Sequence, residues 1–327
     1  MTLTDSHGRE HRDLRVSLTD RCSLRCSYCM PAEGLPWIPG VDILTTAELV
    51  RLVSIAVDLG IDQVRLTGGE PLLRPDVVEI VAALTQLPHA PRVSLTTNAM
   101  RLPSLAGPLA DAGLERVNIS LDTLRRERFL AITRRDRLID VLAGVTAAKA
   151  AGLTPVKINA VLLRDVNDDE AVPLLRWAIA EGLSLRFIEQ MPLDAQHEWD
   201  RSRMISGAEI MNRLRSQFAL DAAEPRNSDP AEVFLVDGGP ATVGVIASVT
   251  SPFCGSCDRL RLTADGQLRS CLFSREESDL RTPLRAGATD SEIAQRFRTC
   301  VEDKKPGHGI NDPGFLQPTR PMSAIGG

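Results

Sequence analysis

The sequence predicts an α/β fold, an incomplete (βα)6 barrel followed by a C-terminal α+β extension, on the strength of three observations. Four passages repeat one pattern of helix end, glycine and strand: "DLGIDQVRLT" from Asp58, "DAGLERVNIS" from Asp111, "AAGLTPVKIN" from Ala150 and "AEGLSLRFIE" from Ala180. Same-face pairs two residues apart give these strands polar content: Arg65 with Thr67, Asn118 with Ser120, Lys157 with Asn159, and Glu189 with Met191. An all-apolar lumen would not need them. After Met191 the alternation stops.

Taken in order, the first strand lies near "DLRVSLT". The helix "TTAELVRLVSIAVDLG" opens with Thr45 and Glu48 at capping-box spacing. It ends at Gly60, which, like Gly113, Gly152 and Gly182, sits where a helix takes a left-handed C′ residue. A strand follows each of these glycines and another lies at "RVSLTTN"; the helices "LIDVLAGVTAAKAAG" and "DDEAVPLLRWAIAEG" separate the later strands. About six βα units favour a TIM-type barrel with its site at the C-terminal strand ends. Beyond them, "ISGAEIMNRLRSQF" reads as a helix capped by Ser206 and Glu209. "EVFLVDGG" and "ATVGVIASV" read as strands joined across Gly238, Gly239 and Pro240, Asp265-Gly266 as a hairpin turn, and "DSEIAQRFRTCVED" as a helix before a loose tail. The expected division is residues 1–195 for the barrel and 196–327 for an extension that covers its open side.

Composition narrows the function. A content of 43% hydrophobic and 25% charged residues is ordinary for a soluble enzyme, and no apolar run has the length to cross a bilayer. The polar first twenty residues lack the apolar region of a signal peptide, so a cytoplasmic location is expected. A net charge of −5 argues against a general nucleic-acid or membrane-surface binder, and any anionic ligand must meet a local basic cluster. The five histidines are not read as a helical metal site, and cysteine carries the metal signal.

Cys22, Cys26 and Cys29 fall within eight residues after the first strand. Structural zinc takes four protein ligands and a disulfide framework an even count. Three thiolates can instead hold three irons of a four-iron cluster and leave the fourth open. "TGGEP", Thr67 to Pro71, follows the second strand; its glycines allow close approach of a ligand, and Glu70 can accept from an amine. Cys254, Cys257 and Cys271 form a second triple, whereas Cys300 shares a helical register with Ile293 and Phe297 and is expected in the core. Beside that triple, Arg259 and Arg261 share a strand face, with forked donors suited to a purine edge or phosphates.

On the CxxxCxxC spacing, with Tyr28 before its last cysteine, and on TGGEP, the chain resembles the radical S-adenosylmethionine (SAM) superfamily. That resemblance implies a radical SAM barrel whose first triad holds a [4Fe-4S] cluster. It also implies SAM contacts at Tyr28, Gly69, Glu70, Ser120 in "NISLD" and Met191 in "IEQMP", with Thr96 or Thr97 near the substrate. With "CMPAEG", "PFCGSCDRLRLTADGQLRSCLF" and the closing "MSAIGG", the chain further resembles the molybdenum cofactor biosynthesis protein A family, the GTP 3′,8-cyclases.

This second resemblance implies a lyase with two [4Fe-4S] clusters and SAM, acting on GTP in the first step of molybdopterin formation. Cys22, Cys26, Cys29, Arg259 and Arg261 would carry the chemistry, and Cys254, Cys257 and Cys271 would ligate the second cluster. Arg259, Leu260 and Arg261 would secure the guanine end at that cluster's open iron. Arg15, Arg65 and Lys157, with Arg186, would take the triphosphate, and the Gly326-Gly327 tail would reach into the site. The implied partners are an electron donor of flavodoxin or ferredoxin type and the next pathway enzyme, cyclic pyranopterin monophosphate synthase, with no nucleic acid and no membrane. Monomer and homodimer both stay open. The competing readings are a radical SAM enzyme that modifies a peptide and a zinc-stabilised binding module.

Overall fold

The computed structural model describes residues 2–223 and 226–327. In chain order the elements are β1 (Asp13–Ser17), α1 (Thr46–Asp58), β2 (Gln63–Thr67), α2 (Val77–Thr85), β3 (Arg92–Thr97), α3 (Leu102–Asp111), β4 (Arg116–Ser120), α4 (Arg126–Thr133), α5 (Leu138–Ala150), β5 (Lys157–Val161), α6 (Ala171–Glu181) and β6 (Ser184–Ile188). There follow α7 (Gly207–Arg215), β7 (Leu220–Ala222), β8 (Glu232–Val236), β9 (Thr242–Ile246), β10 (Arg259–Leu262), β11 (Gln267–Arg269), β12 (Ser278–Asp279), α8 (Arg281–Arg285), α9 (Asp290–Glu302) and α10 (Met322–Ile325).

Local chemistry sets the element ends. Thr45 with Glu48 and Ser206 with Glu209 form capping boxes at α1 and α7, and Thr289 with Glu292 forms a third at α9. Each satisfies otherwise unpartnered first-turn N–H groups, worth about 1 kcal/mol. Gly60, Gly113, Gly152 and Gly182 turn the chain from helix to strand at φ values of 106°, 94°, 75° and 66°.

Among the described residues the strands form one twelve-stranded sheet in the order β12-β11-β10-β1-β2-β3-β4-β5-β6-β9-β8-β7. β1 to β6 pair in parallel, in sequence order. β10 pairs parallel with β1, and β9 parallel with β6. The extension therefore widens the barrel wall at both edges, while β7, β8, β11 and β12 add antiparallel ribbons outside it. Alternation along the strands sorts the two faces. Val64, Leu66, Val93, Leu95, Val117, Ile119, Ile158 and Phe187 are at most 1% exposed in the main hydrophobic core. The alternate positions, among them Arg15, Arg65, Thr96, Asn118, Asn159 and Arg186, face the lumen instead.

Two local features differ from the sequence reading. Glu189 and Met191 lie past the end of β6 rather than on its face. Glu189 is buried and accepts from the N–H groups of Gly207, Val249 and Thr250, so it ties the end of β6 to the extension. The tail is not loose. Arg320 pairs with Asp265 and Glu277 at 2.8 Å each, the Met322 N–H donates to the Leu193 carbonyl at 2.9 Å, and Ile325 is buried. Among the described residues no helix is long and apolar enough to cross a membrane.

Candidate active site

The first triad sits on the loop that leaves β1. A turn brings its members together, with the Cys29 N–H donating to the Cys26 carbonyl at 2.9 Å. The end of α4 fixes this loop from outside: the Arg25 and Ser27 N–H groups donate to the carbonyls of Thr133 and Ile132, and Arg134 donates to those of Met30 and Arg25. Tyr28 is anchored by its hydroxyl, which donates to Asp122 at 2.7 Å. Burial pushes the Cys22 thiol up to about 11 and the Cys29 thiol up to about 12, and raises Cys26 well above the ordinary range. Only a cation that replaces their protons makes thiolates of these three.

TGGEP packs against the same loop. Gly69 and Glu70 donate their N–H groups to the carbonyls of Thr19 and Arg21, both at 2.7 Å. A Cβ on Gly68 would lie 2.4 Å from the Thr19 carbonyl oxygen, and one on Gly69 equally close to those of Asp20 and Arg21. The two glycines are thus required by the contact between two loops, not only by a ligand. Glu70 is 1% exposed and accepts from the Thr97 hydroxyl and from the N–H groups of Leu72 and Asn98, at 2.7 to 3.0 Å. Its carboxylate holds its own chain through these bonds and also lines the cavity beside the first triad.

The second triad lies where β10 begins and β11 ends. Cys254 and Cys257 share a turn closed by a 3.2 Å backbone bond, and the Phe273 N–H donates to Cys271 Sγ at 3.4 Å. Burial opposes ionisation of Cys257, but Arg259 and Lys304 overcome it and draw the thiol down to about 7. The Arg259 guanidinium lies 4.8 Å over the Phe253 ring.

One cavity is lined by all six cysteines, and a wall of cations stands between the triads. Strand register builds that wall: Arg15 on β1 is level with Arg261 on β10 and with Arg65 on β2. Like charges side by side on a sheet are destabilising unless an anion joins them. Burial lowers Arg15 well below the ordinary arginine range, and Arg65 and Arg261 add to the shift; burial and Arg259 likewise draw Arg261 down to about 10. Nearby acids are few: Asp13 lies 4.0 Å from Arg65, and Asp229 lies 3.1 Å from Arg186. Arg15 Nε, Arg65 Nε, Arg259 Nη2, Asn118 Oδ1 and Asn159 Oδ1 are buried with no hydrogen-bond partner among the described residues. A polyanionic ligand with polar edges answers both the charge and the unmet hydrogen bonds.

The tail closes the floor. A Cβ on Gly326 (φ 92°) would lie 2.4 Å from Thr67 Oγ1, its carbonyl accepts from Arg261, and Gly327 lines the cavity.

The structure brings most of the sequence-named residues to this one cavity: the six cysteines, Tyr28, Gly69, Glu70, Thr96, Thr97, Ser120, Met191, Arg15, Arg65, Arg186, Arg259 and Arg261. It does not bring Leu260, whose side chain points from β10 into the core, completely buried, as period-two alternation between two inward arginines requires. Nor does Lys157 reach the cavity wall; it lies on β5 two residues before Asn159, close to Arg186 and Arg116, where burial first and these cations next draw it down to about 8. Cys300 is buried in the core. Asp122, Phe253 and Lys304 went unnamed at the sequence level, since each acts through a contact made across the fold.

The residues fit the groups that the two triads imply. None of the six half-buried thiols is in a disulfide. All six face one cavity in two groups of three, the number that lets a four-iron cluster keep one iron without a protein ligand.

Comparison with known proteins agrees with the geometry. The Radical SAM superfamily model matches residues 16–178, and the Molybdenum Cofactor Synthesis C model matches residues 183–310. Among solved structures, Streptococcus suis SuiB bound to S-adenosylmethionine superposes with a TM-score of 0.62 at 13% identity, over 97% of this chain and 78% of that one. Native anSMEcpe with bound AdoMet superposes with a TM-score of 0.59, also at 13% identity, over 91% and 82%. At such identities these two show the shared fold. Among curated relatives, GTP 3′,8-cyclase of Streptomyces coelicolor is 59% identical over 99% of this chain and 96% of its own length. That of Mycobacterium marinum is 58% identical over 99% and 92%. With its two cysteine triads, its cationic wall and this near end-to-end identity, the chain belongs to the GTP 3′,8-cyclase family of the radical SAM superfamily.

Proposed function

We propose that this chain cyclises GTP in the first step of molybdenum cofactor biosynthesis. The 3′ hydrogen of the ribose is removed, and the C3′ radical closes on C8 of guanine. One electron and one proton then complete (8S)-3′,8-cyclo-7,8-dihydroguanosine 5′-triphosphate. The observation that carries the reading is the arginine wall between two thiol triads in one cavity. A peptide substrate has no comparable need for it.

Cys22, Cys26 and Cys29 would hold one [4Fe-4S] cluster and Cys254, Cys257 and Cys271 the other, each leaving one iron without a protein ligand. The first cluster and SAM, when bound, supply a 5′-deoxyadenosyl radical. The chain's own residues do the rest. Arg15, Arg65 and Arg186 hold the triphosphate, and their convergence offsets its charge of about −4. Arg259 and Arg261 hold the guanosine end near the second triad, and fixing both ends sets the ribose in one place for hydrogen removal. Gly326, seated against Thr67 and bonded to Arg261, helps keep water from the reacting carbon. We assign Tyr28, Gly69, Glu70, Ser120 and Met191 to SAM and Thr96 to the substrate, while Lys157, set behind the wall below Asn159, adds positive charge to the triphosphate end without touching it. The reducing electron would come from a flavodoxin- or ferredoxin-type carrier in the cytoplasm, and the product would pass to cyclic pyranopterin monophosphate synthase.

The test is anaerobic reconstitution with iron and sulfide, then incubation with SAM, a reductant and each nucleoside triphosphate in turn. About eight irons per chain and consumption of GTP alone are expected. Cys271→Ala keeps 5′-deoxyadenosine formation but makes no cyclic product; full cyclase activity in that variant refutes the two-cluster reading.

A further inference from the structure

The segment before β1 carries buried charges outside the cavity wall. Asp5, Arg9 and His11 are 6%, 8% and 1% exposed, and Lys304, just past α9, is 4% exposed. His11 Nε2 lies 3.1 Å from Asp5 Oδ2, and its Nδ1 lies 3.4 Å from Lys304 Nζ. The carboxylate therefore takes the Nε2–H, which leaves Nδ1 to accept from the ammonium. Lys304 Nζ also reaches the carbonyl oxygens of Arg259 at 2.9 Å and Cys257 at 3.3 Å, and Cys257 Sγ at 3.7 Å.

The charges here do not cancel without the sulfur. Asp5 is shared by Arg9, at 2.6 Å, and His11. Arg9 uses its remaining donors on the carbonyls of Cys254, Lys305 and Pro306. Among the described residues no carboxylate pairs with Lys304. A buried ammonium without an anion is strongly destabilising, and the anion within its reach is the thiolate of Cys257.

We propose that Lys304 is a positioning residue for the second iron–sulfur cluster: steadied by the Asp5–His11 pair, its ammonium donates to the Cys257 thiolate and raises that cluster's reduction potential. This rests on the reading that the second triad carries a cluster. A fixed positive charge and an N–H···S bond both favour the more negative, reduced state of the cluster, which moves the potential upward. His11 and Asp5 act on the cluster only through the position they give Lys304.

The experiment uses the full chain reconstituted with Cys22, Cys26 and Cys29 replaced by alanine, so that the second cluster alone contributes. Its potential is read by a redox titration followed by electron paramagnetic resonance, with iron content measured beside it. Lys304→Met removes the charge and the donors, and Lys304→Gln keeps a donor without the charge. The expected order from highest to lowest potential is parent, Lys304→Gln, Lys304→Met, with His11→Phe below the parent. Equal potentials in cluster-loaded preparations overturn the proposal and leave the two-cluster reading intact. Loss of the cluster from both lysine variants with the fold retained makes Lys304 necessary for assembly and overturns the tuning role. A parent that binds no iron fails the underlying reading instead.

Discussion

Arg261 serves two neighbours at once, because it stands in the row with Arg15 and Arg65 and also donates to the Gly326 carbonyl. Arg261→Ala should therefore raise the KM for GTP by about tenfold or more, the scale of a lost charged hydrogen bond, and change SAM cleavage less than twofold. Equal losses in both activities would remove it from nucleotide binding. His11 makes a different prediction, for the protein without its clusters. Burial first and Lys304 next draw its imidazole down to about 4 in the fold, against 6.5 for the free group, while Asp5 opposes them. The unfolded chain then binds the extra proton first as pH falls. Stability is lost between pH 6.5 and about 4, by at most about 3 kcal/mol, and is unaffected by this group above that window. Denaturant midpoints at pH 7, 6 and 5 should fall in the parent and fall less in His11→Phe; parallel curves would clear His11. The cysteines and arginines of the site were legible because spacing and strand period place them directly. Asp122 and Lys304 were not, since their partners Tyr28 and Cys257 lie 94 and 47 residues away.

At the scale of elements, the helices that were legible are those with a clear start and stop, such as α1 between the Thr45 box and Gly60. α3 has the stop signal of Gly113 but no capping side chain at its start and Pro108 inside, and α4, whose N-cap Arg125 makes no side-chain cap bond, has no clear start. Tertiary packing forms them. The TGGEP loop teaches the same point. Its glycines look like a ligand cradle in sequence, but the atoms nearest to an added Cβ belong to the cysteine loop. Gly69→Ala should accordingly push the two loops apart at a cost of about 3 kcal/mol or the loss of local order. The readout is iron content after reconstitution: the first cluster should be lost and the second kept, giving about half the iron. Full iron with normal SAM binding would mean that the loops can yield.

At the scale of the molecule, six consecutive parallel strands were legible, four of them from a helix-ending glycine and the other two from their own apolar period, whereas the seats of β9 and β10 were not. Parallel pairing leaves no local mark in either partner, and the register that aligns Arg261 with Arg15 emerges only when β10 lies beside β1. Residues 1–195 made alone would keep β1 and β6 as bare parallel edges, each with one apolar face. That fragment should aggregate when expressed; a monodisperse, cooperatively melting fragment would contradict this. The same topology sets a schedule at the ribosome. Both edges of the growing wall stay open until β9 and β10, residues 242–262, have emerged, so a nascent chain with its first cysteine loop already made must wait for two late strands. During that interval three thiols stand near an unsealed edge, and cells that limit oxidants or supply a holding chaperone at this stage should recover more active protein per chain made.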